Sequence, residues 1–153
     1  MKPIPTHSQI KPIPQYTNGY LLISGELFLG YTDHFGTEIE LNHNNEIIQK
    51  YICCTNGYFY FRLEYEMIYT LNIHNSDYNS KSLIIDTRIN MSERKKREYE
   101  FGVTLNKKTD SLNIPSNNQP VAYIRFNEKM KVFEHDLNYL KNFISQFKLN
   151  SAA

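Results

Sequence analysis

A mostly-β sandwich of about seven or more strands, with one C-terminal helix, is the fold the sequence predicts. Three observations predict it. Tyr and Phe make up an aromatic share of 14% with no Trp, and β-branched residues are frequent, a mixture that favours pleated, half-buried strands. Apolar and polar residues alternate in short runs, most cleanly over Tyr58-Phe59-Tyr60-Phe61-Arg62-Leu63. There Phe59, Phe61 and Leu63 share one side, and Tyr58, Tyr60 and Arg62 the other. Near the C-terminus this alternation gives way to a helical period. A chain of 153 residues is one ordinary domain and can bury a core without metals or disulfides.

Residues 1–18 read as an extended Pro-rich arm or linker. Lys2-Pro3-Ile4-Pro5 recurs as Lys11-Pro12-Ile13-Pro14, and proline at every second place removes amide donors and restrains the backbone. A spacer is favoured over a docking peptide. The sandwich spans 19–127. Its first strand covers 20–29, with Gly25 marking a bulge. Asp33-His34-Phe35-Gly36 is a turn. Ile39 and Leu41 then alternate with Glu38 and Glu40, and 42–45 turns the chain into a strand over 46–54. Asn56-Gly57 is the strongest hairpin signal, because both residues tolerate positive φ. Tyr69, Leu71 and Ile73 repeat the alternation, and 83–86 continues the sheet. The stretch 90–97 is a polar, basic loop. Tyr99, Phe101, Val103 and Leu105 alternate with Glu98, Glu100 and Thr104. A long loop over 106–119 precedes a strand at 121–126. Residues 128–150 carry a helix packed on or beside the sandwich. Leu137, Leu140, Ile144 and Phe147 fall on one face with Phe143 beside them, and Asp136 is its N-cap. That stripe is expected to pack within the molecule, since an exposed one would be sticky.

No catalytic, metal or cofactor site is expected. Cys53 and Cys54 are adjacent, so in a strand they point to opposite faces, and no second Cys or His pair stands at zinc spacing. His7, His34, His43, His74 and His135 are scattered. Asp33, His34, His135 and Asp136 would be the loop residues of a metal-dependent hydrolase, should the fold bring them together. A nucleophilic Gly-x-Ser-x-Gly elbow and a phosphate-cradling loop are absent from the sequence. Glu38, Glu40, Glu98 and Glu100 read as solvated strand carboxylates rather than paired glycosidase acids. The net charge of +1 supplies no bulk field for nucleic acid, and no sequence stretch is long enough to span a bilayer as a helix. Two features remain as a candidate binding surface. One is the outward row Tyr58, Tyr60 and Arg62, flat amphipathic area suited to protein or sugar. The other is the basic run Arg94-Lys95-Lys96-Arg97.

Several short motifs, in order, resemble a known family. Thr55-Asn56-Gly57-Tyr58-Phe59 is followed by Tyr69-Thr70-Leu71 and by the corner Asp77-Tyr78-Asn79-Ser80-Lys81. From Ile23 to Arg88 this is similar to the carboxypeptidase regulatory-like domain, a transthyretin-like (prealbumin-like) sandwich of broadly immunoglobulin-like build. Asp77 stands where that family's corner prefers Gly. The ending Ile85-Asp86-Thr87-Arg88, the acidic strand Glu98-Tyr99-Glu100-Phe101, Pro120-Val121-Ala122-Tyr123-Ile124 and Phe133-x-x-Asp136-x-x-Tyr139 resemble a variant from cell-envelope proteins of the Bacteroidetes. The resemblance implies a non-enzymatic binding or scaffold module of the periplasm or cell envelope. Its partner would be a protein, in a secretion or gliding-type assembly, with a missing N-terminal anchor bringing it near a membrane. The chain opens without a signal-peptide pattern, which leaves a cytoplasmic setting open. Alternatives are a carbohydrate-binding module, a small metal-dependent hydrolase and a toxin-neutralising inhibitor.

Overall fold

A computed structural model describes residues 19–30, 36–53, 56–109 and 119–151, with side chains as far as residue 146. The described strands are β1 (Leu21–Phe28), β2 (Thr37–His43), β3 (Glu46–Cys53), β4 (Tyr58–Leu63), β5 (Ile68–His74), β6 (Lys81–Asp86), β7 (Arg97–Thr104), β8 (Ala122–Asn127) and β9 (Val132–His135). A 3₁₀ turn covers Met91–Glu93 and one helix, α1, covers Leu137–Ser151. The strands form a three-stranded sheet, β4-β1-β7, and a six-stranded sheet, β3-β2-β5-β6-β8-β9. The protein is therefore mostly β, in a sandwich-like arrangement with one C-terminal helix. β1 runs antiparallel to β4 and parallel to β7.

Alternation builds the core. Leu21, Ile23 and Leu27 of β1 and Phe59, Phe61 and Leu63 of β4 are buried, as are Ile39, Leu41, Leu71, Ile73, Ile85 and Ile124 from the larger sheet. Burying such side chains is worth roughly 1.5–3 kcal/mol each. The sheets also meet along two margins. Tyr51 of β3 lies edge-on to Phe61 of β4 at 5.3 Å, and His135 of β9 lies 5.6 Å from Tyr99 of β7. The outward residues of the small sheet consequently face away from the core.

Several expectations need correction. Gly25 is not a bulge: pairing of β1 with β4 is continuous from Leu21↔Leu63 to Glu26↔Tyr58. The glycine is there because a Cβ would lie 2.2 Å from Cζ of Phe59. The register shift falls instead at Leu41/Asn42, opposite Gln49 and Ile47, which leaves Ile48 as the extra residue. Asn56-Gly57 does not close a hairpin. It leads into β4, which pairs with β1, whereas β3 pairs with β2 in the other sheet. Asn56 Oδ1 accepts the Tyr58 amide and the Gly57 carbonyl accepts the Leu27 amide, so this step starts β4. The two-residue hairpin lies at Asn44-Asn45, with φ of 51° and 64°. Residues 128–135, expected to go with the helix, form a turn and β9. The arm 1–18, residues 31–35 with most of the expected turn, Cys54 and Thr55, and residues 110–118 of the expected long loop lie outside the described residues.

Asp136 does cap α1: its Oδ1 accepts the amides of Asn138 and Tyr139 at 2.9 and 3.1 Å. The packed face is not the expected one. Leu137, Leu140 and Ile144 are exposed and Phe143 is half-buried, the Phe147 side chain lying outside the described residues, whereas Tyr139 is half-buried, 5.8 Å from the Tyr123 ring, and donates its hydroxyl proton to the Pro120 carbonyl. Tyr139 fixes the rotation of the helix, and the aliphatic stripe is left outside.

The segment Ile85-Asp86-Thr87-Arg88 is a structural clasp. Arg88 binds Asp86 through two parallel bonds of 2.9 and 2.8 Å, and Tyr123 donates to the same carboxylate at 2.9 Å. The buried Thr87 hydroxyl lies 2.7 Å from the Glu64 carbonyl and accepts the Met67 amide at 3.1 Å. It ties the β4–β5 connection to the end of β6. At the corner, buried Tyr78 donates to the Leu29 carbonyl at 2.9 Å, joining the two sheets.

Candidate binding surface

The outer face of β4-β1-β7 is built in cross-strand rows. Glu26 pairs with Tyr58 on β4 and Gly102 on β7; Ser24 pairs with Tyr60 and Glu100; Leu22 pairs with Arg62 and Glu98. Phe28 follows at the end of β1, opposite Thr104. Phe28, Tyr58 and Tyr60 are 45%, 60% and 51% exposed. Three aromatic side chains on one sheet face hold apolar area in water, the kind of surface that suits an interaction site.

The electrostatics of this face are uneven. Tyr58 makes a side-chain hydrogen bond with Glu26. That bond, then the Glu26 charge, burial and the Glu100 charge, raise its phenol above the ordinary value. Arg62 sits over the Tyr20 ring at 5.3 Å, and Lys96 pairs with Glu98 at 3.4 Å. Between Glu26, Glu100, Tyr58 and Phe28 lies a depression of about 350 Å³.

The basic run does not join this surface as a block. Arg94 pairs with Glu66 at 2.8 Å. Arg97 binds Glu93 at 2.8 Å, donates to the Lys131 carbonyl at 2.9 Å and stacks over Phe126 at 4.8 Å. Both arginines therefore hold the loop onto the sandwich. Lys95 and Lys96 point outward; the Lys95 carbonyl anchors the hydroxyl of Tyr65, whose phenol burial raises to about 12.

The hydrolase constellation is not assembled among the described residues. His135 turns inward, with Nδ1 2.5 Å from the Tyr99 hydroxyl, and burial lowers its pKa. Asp136 caps α1 and pairs with Arg125 at 2.9 Å. Asp33 and His34 lie outside the described residues. His43 bonds the Ile68 carbonyl, and His74 contacts Ser80 and Glu40. Among the described residues no group of three or more His, Cys, Asp or Glu side chains is placed to hold a metal, and no helix is long and apolar enough to cross a membrane. A wider cleft of about 840 Å³ beside α1 is lined by Asp86, Arg88, Arg125, Glu134 and Asp136. Its carboxylates are engaged by Arg88, Arg125 and Asn127.

The sequence marks Tyr58, Tyr60 and Arg62 as outward-facing, which their exposure matches, but gives no mark to Glu26, Phe28 and Gly102, which the sheet places beside them. The alternation that places Ser24, Glu26 and Phe28 on one face was present. The parallel pairing of β1 with β7, some seventy residues apart, had no local signal. The fold and this surface define a β-sandwich with an aromatic, acidic outer face. No protein-family model and no curated protein matches the chain.

Proposed function

We propose that the protein is a non-enzymatic binding module that recognises a protein partner through the outer face of β4-β1-β7, in a bacterial cell envelope. The observation that carries this is the exposure of Phe28, Tyr58 and Tyr60 together on one rigid sheet face. Aromatic side chains offer large contact area at low entropic cost and dominate protein interfaces. The envelope setting rests on the resemblance of the strand and corner motifs to a carboxypeptidase regulatory-like domain. The clasp at 85–88 and the corner Tyr78 account for those motifs as fold-holding residues, which is consistent with a scaffold whose outer face carries recognition.

Affinity capture from envelope and cytosolic fractions tests the proposal. The wild-type chain should enrich a specific envelope protein, and Tyr58→Ala/Tyr60→Ala should lose it while remaining folded. Capture undiminished in the double variant would remove this face from the function. A specific hit confined to the cytosolic fraction would remove the envelope setting.

A further inference from the structure

The depression at the β1–β7 end of the outer face has a composition that selects its occupant. Its space exists because β7 has Gly102 opposite Glu26, and a Cβ there would lie 2.9 Å from the Phe28 ring. Phe28 leans over the glycine on one side and Tyr58 stands on the other. Ser24 contributes little bulk. Glu26 and Glu100 stand on neighbouring strands, on diagonal positions of the same face. Among the described residues neither carboxylate has a salt bridge, although Glu98 in the next row is matched by Lys96. Two carboxylates thus line one depression beside two aromatic side chains with no described cation, and Glu26 has the Tyr58 hydroxyl as its hydrogen-bond partner.

We infer that this depression receives a lysine or arginine side chain of the protein partner. The inference rests on the function proposed above and names the chemistry of its central contact. An ammonium or guanidinium group satisfies both features at once: it pairs with Glu26 and Glu100, and the faces of Phe28 and Tyr58 attract its charge. A hard metal ion fits less well, since it demands six or more oxygen ligands and gains little from aromatic walls. The depression opens on the sheet surface, so a side chain can enter from a docked partner without either backbone moving.

The test uses the full chain and a tri-lysine peptide as probe, followed by amide NMR. Saturable shifts at Gly102, Phe28 and Tyr58 are expected. With the N-terminus acetylated in both peptides, they should vanish when the lysines are also ε-acetylated, which keeps the stem and removes the charge. Glu26→Gln/Glu100→Gln should weaken binding about tenfold or more. Shifts spread evenly over all surface carboxylates, equal binding of the acetylated peptide, or undiminished binding by the double variant would each overturn the inference. Shifts at these residues that follow protein concentration without peptide would assign the depression to a second copy of this chain and overturn it as well. The two readings fail separately. Loss of capture in Tyr58→Ala/Tyr60→Ala with full capture in Glu26→Gln/Glu100→Gln would keep the face and remove the cation.

Discussion

At the scale of single residues, the buried Asp86 carboxylate is matched by Arg88 and Tyr123, and these matches predict what substitution does. Burial alone would raise the Asp86 carboxyl, but the side-chain and backbone bonds from Arg88 and the bond from Tyr123 outweigh it and hold the pKa below its ordinary value. A carboxylate of depressed pKa stabilises the fold above its unfolded pKa, and that contribution is lost as pH falls through the folded value. Asp86→Asn should therefore cost about 2 kcal/mol at neutral pH in denaturant unfolding, and the variant should lose less stability than wild type on acidification below about pH 4. Gly25 sits under the Phe59 ring, itself packed edge-on to Phe101 at 5.8 Å. Gly25→Val should destabilise by about 2–3 kcal/mol, read from the same unfolding curves. The role of this glycine was not legible in the sequence. A glycine in a strand signals either a bulge or a close approach, and only the partner across the sheet distinguishes them.

At the scale of elements, the strands were legible and their partners were not. Periodicity identifies the buried face of β4 from Phe59, Phe61 and Leu63 alone. It does not say that β4 leaves β3 and joins β1, because Asn-Gly serves a tight start to a strand as well as a hairpin. The helix makes the same point. Asp136 was readable as a cap, but the choice between Tyr139 and the Leu137, Leu140, Ile144 stripe depends on where Tyr123 and Pro120 stand in space. Asp136→Ala removes both the cap and the Arg125 pair, and should lower stability by about 1–2 kcal/mol with loss of helical circular dichroism. The meeting of β7 and β9 predicts a pH response. Burial lowers the pKa of His135. The unfolded chain then takes up the proton first, so stability is full above the ordinary histidine value and falls as pH drops through the folded value. Unfolding free energy measured from pH 7.5 to 5 should decline, on the order of 1 kcal/mol or less, and His135→Gln should flatten that slope.

At the scale of the whole molecule, two sheets of unequal width enclose one core and leave the narrow sheet's outer face to solvent. The aromatic positions on that face were half legible. Tyr58 and Tyr60 follow from the alternation within β4, while Glu26 and Phe28 join them through the pairing of β1 with β4, and Glu100 through the pairing of β1 with β7. The basic run was legible as charge but not as structure, because the inward turn of Arg94 and Arg97 depends, beside the neighbouring Glu93, on Glu66 and Phe126 from other parts of the chain. The central claim is that recognition uses this outer face. The most direct measurement is hydroxyl-radical footprinting of the chain, alone and after incubation with envelope extract. The account predicts that Phe28, Tyr58 and Tyr60 are reactive alone and become protected in the extract, while Leu137, Leu140 and Ile144 on α1 stay reactive. Protection of the helix stripe with Phe28, Tyr58 and Tyr60 unchanged would contradict it.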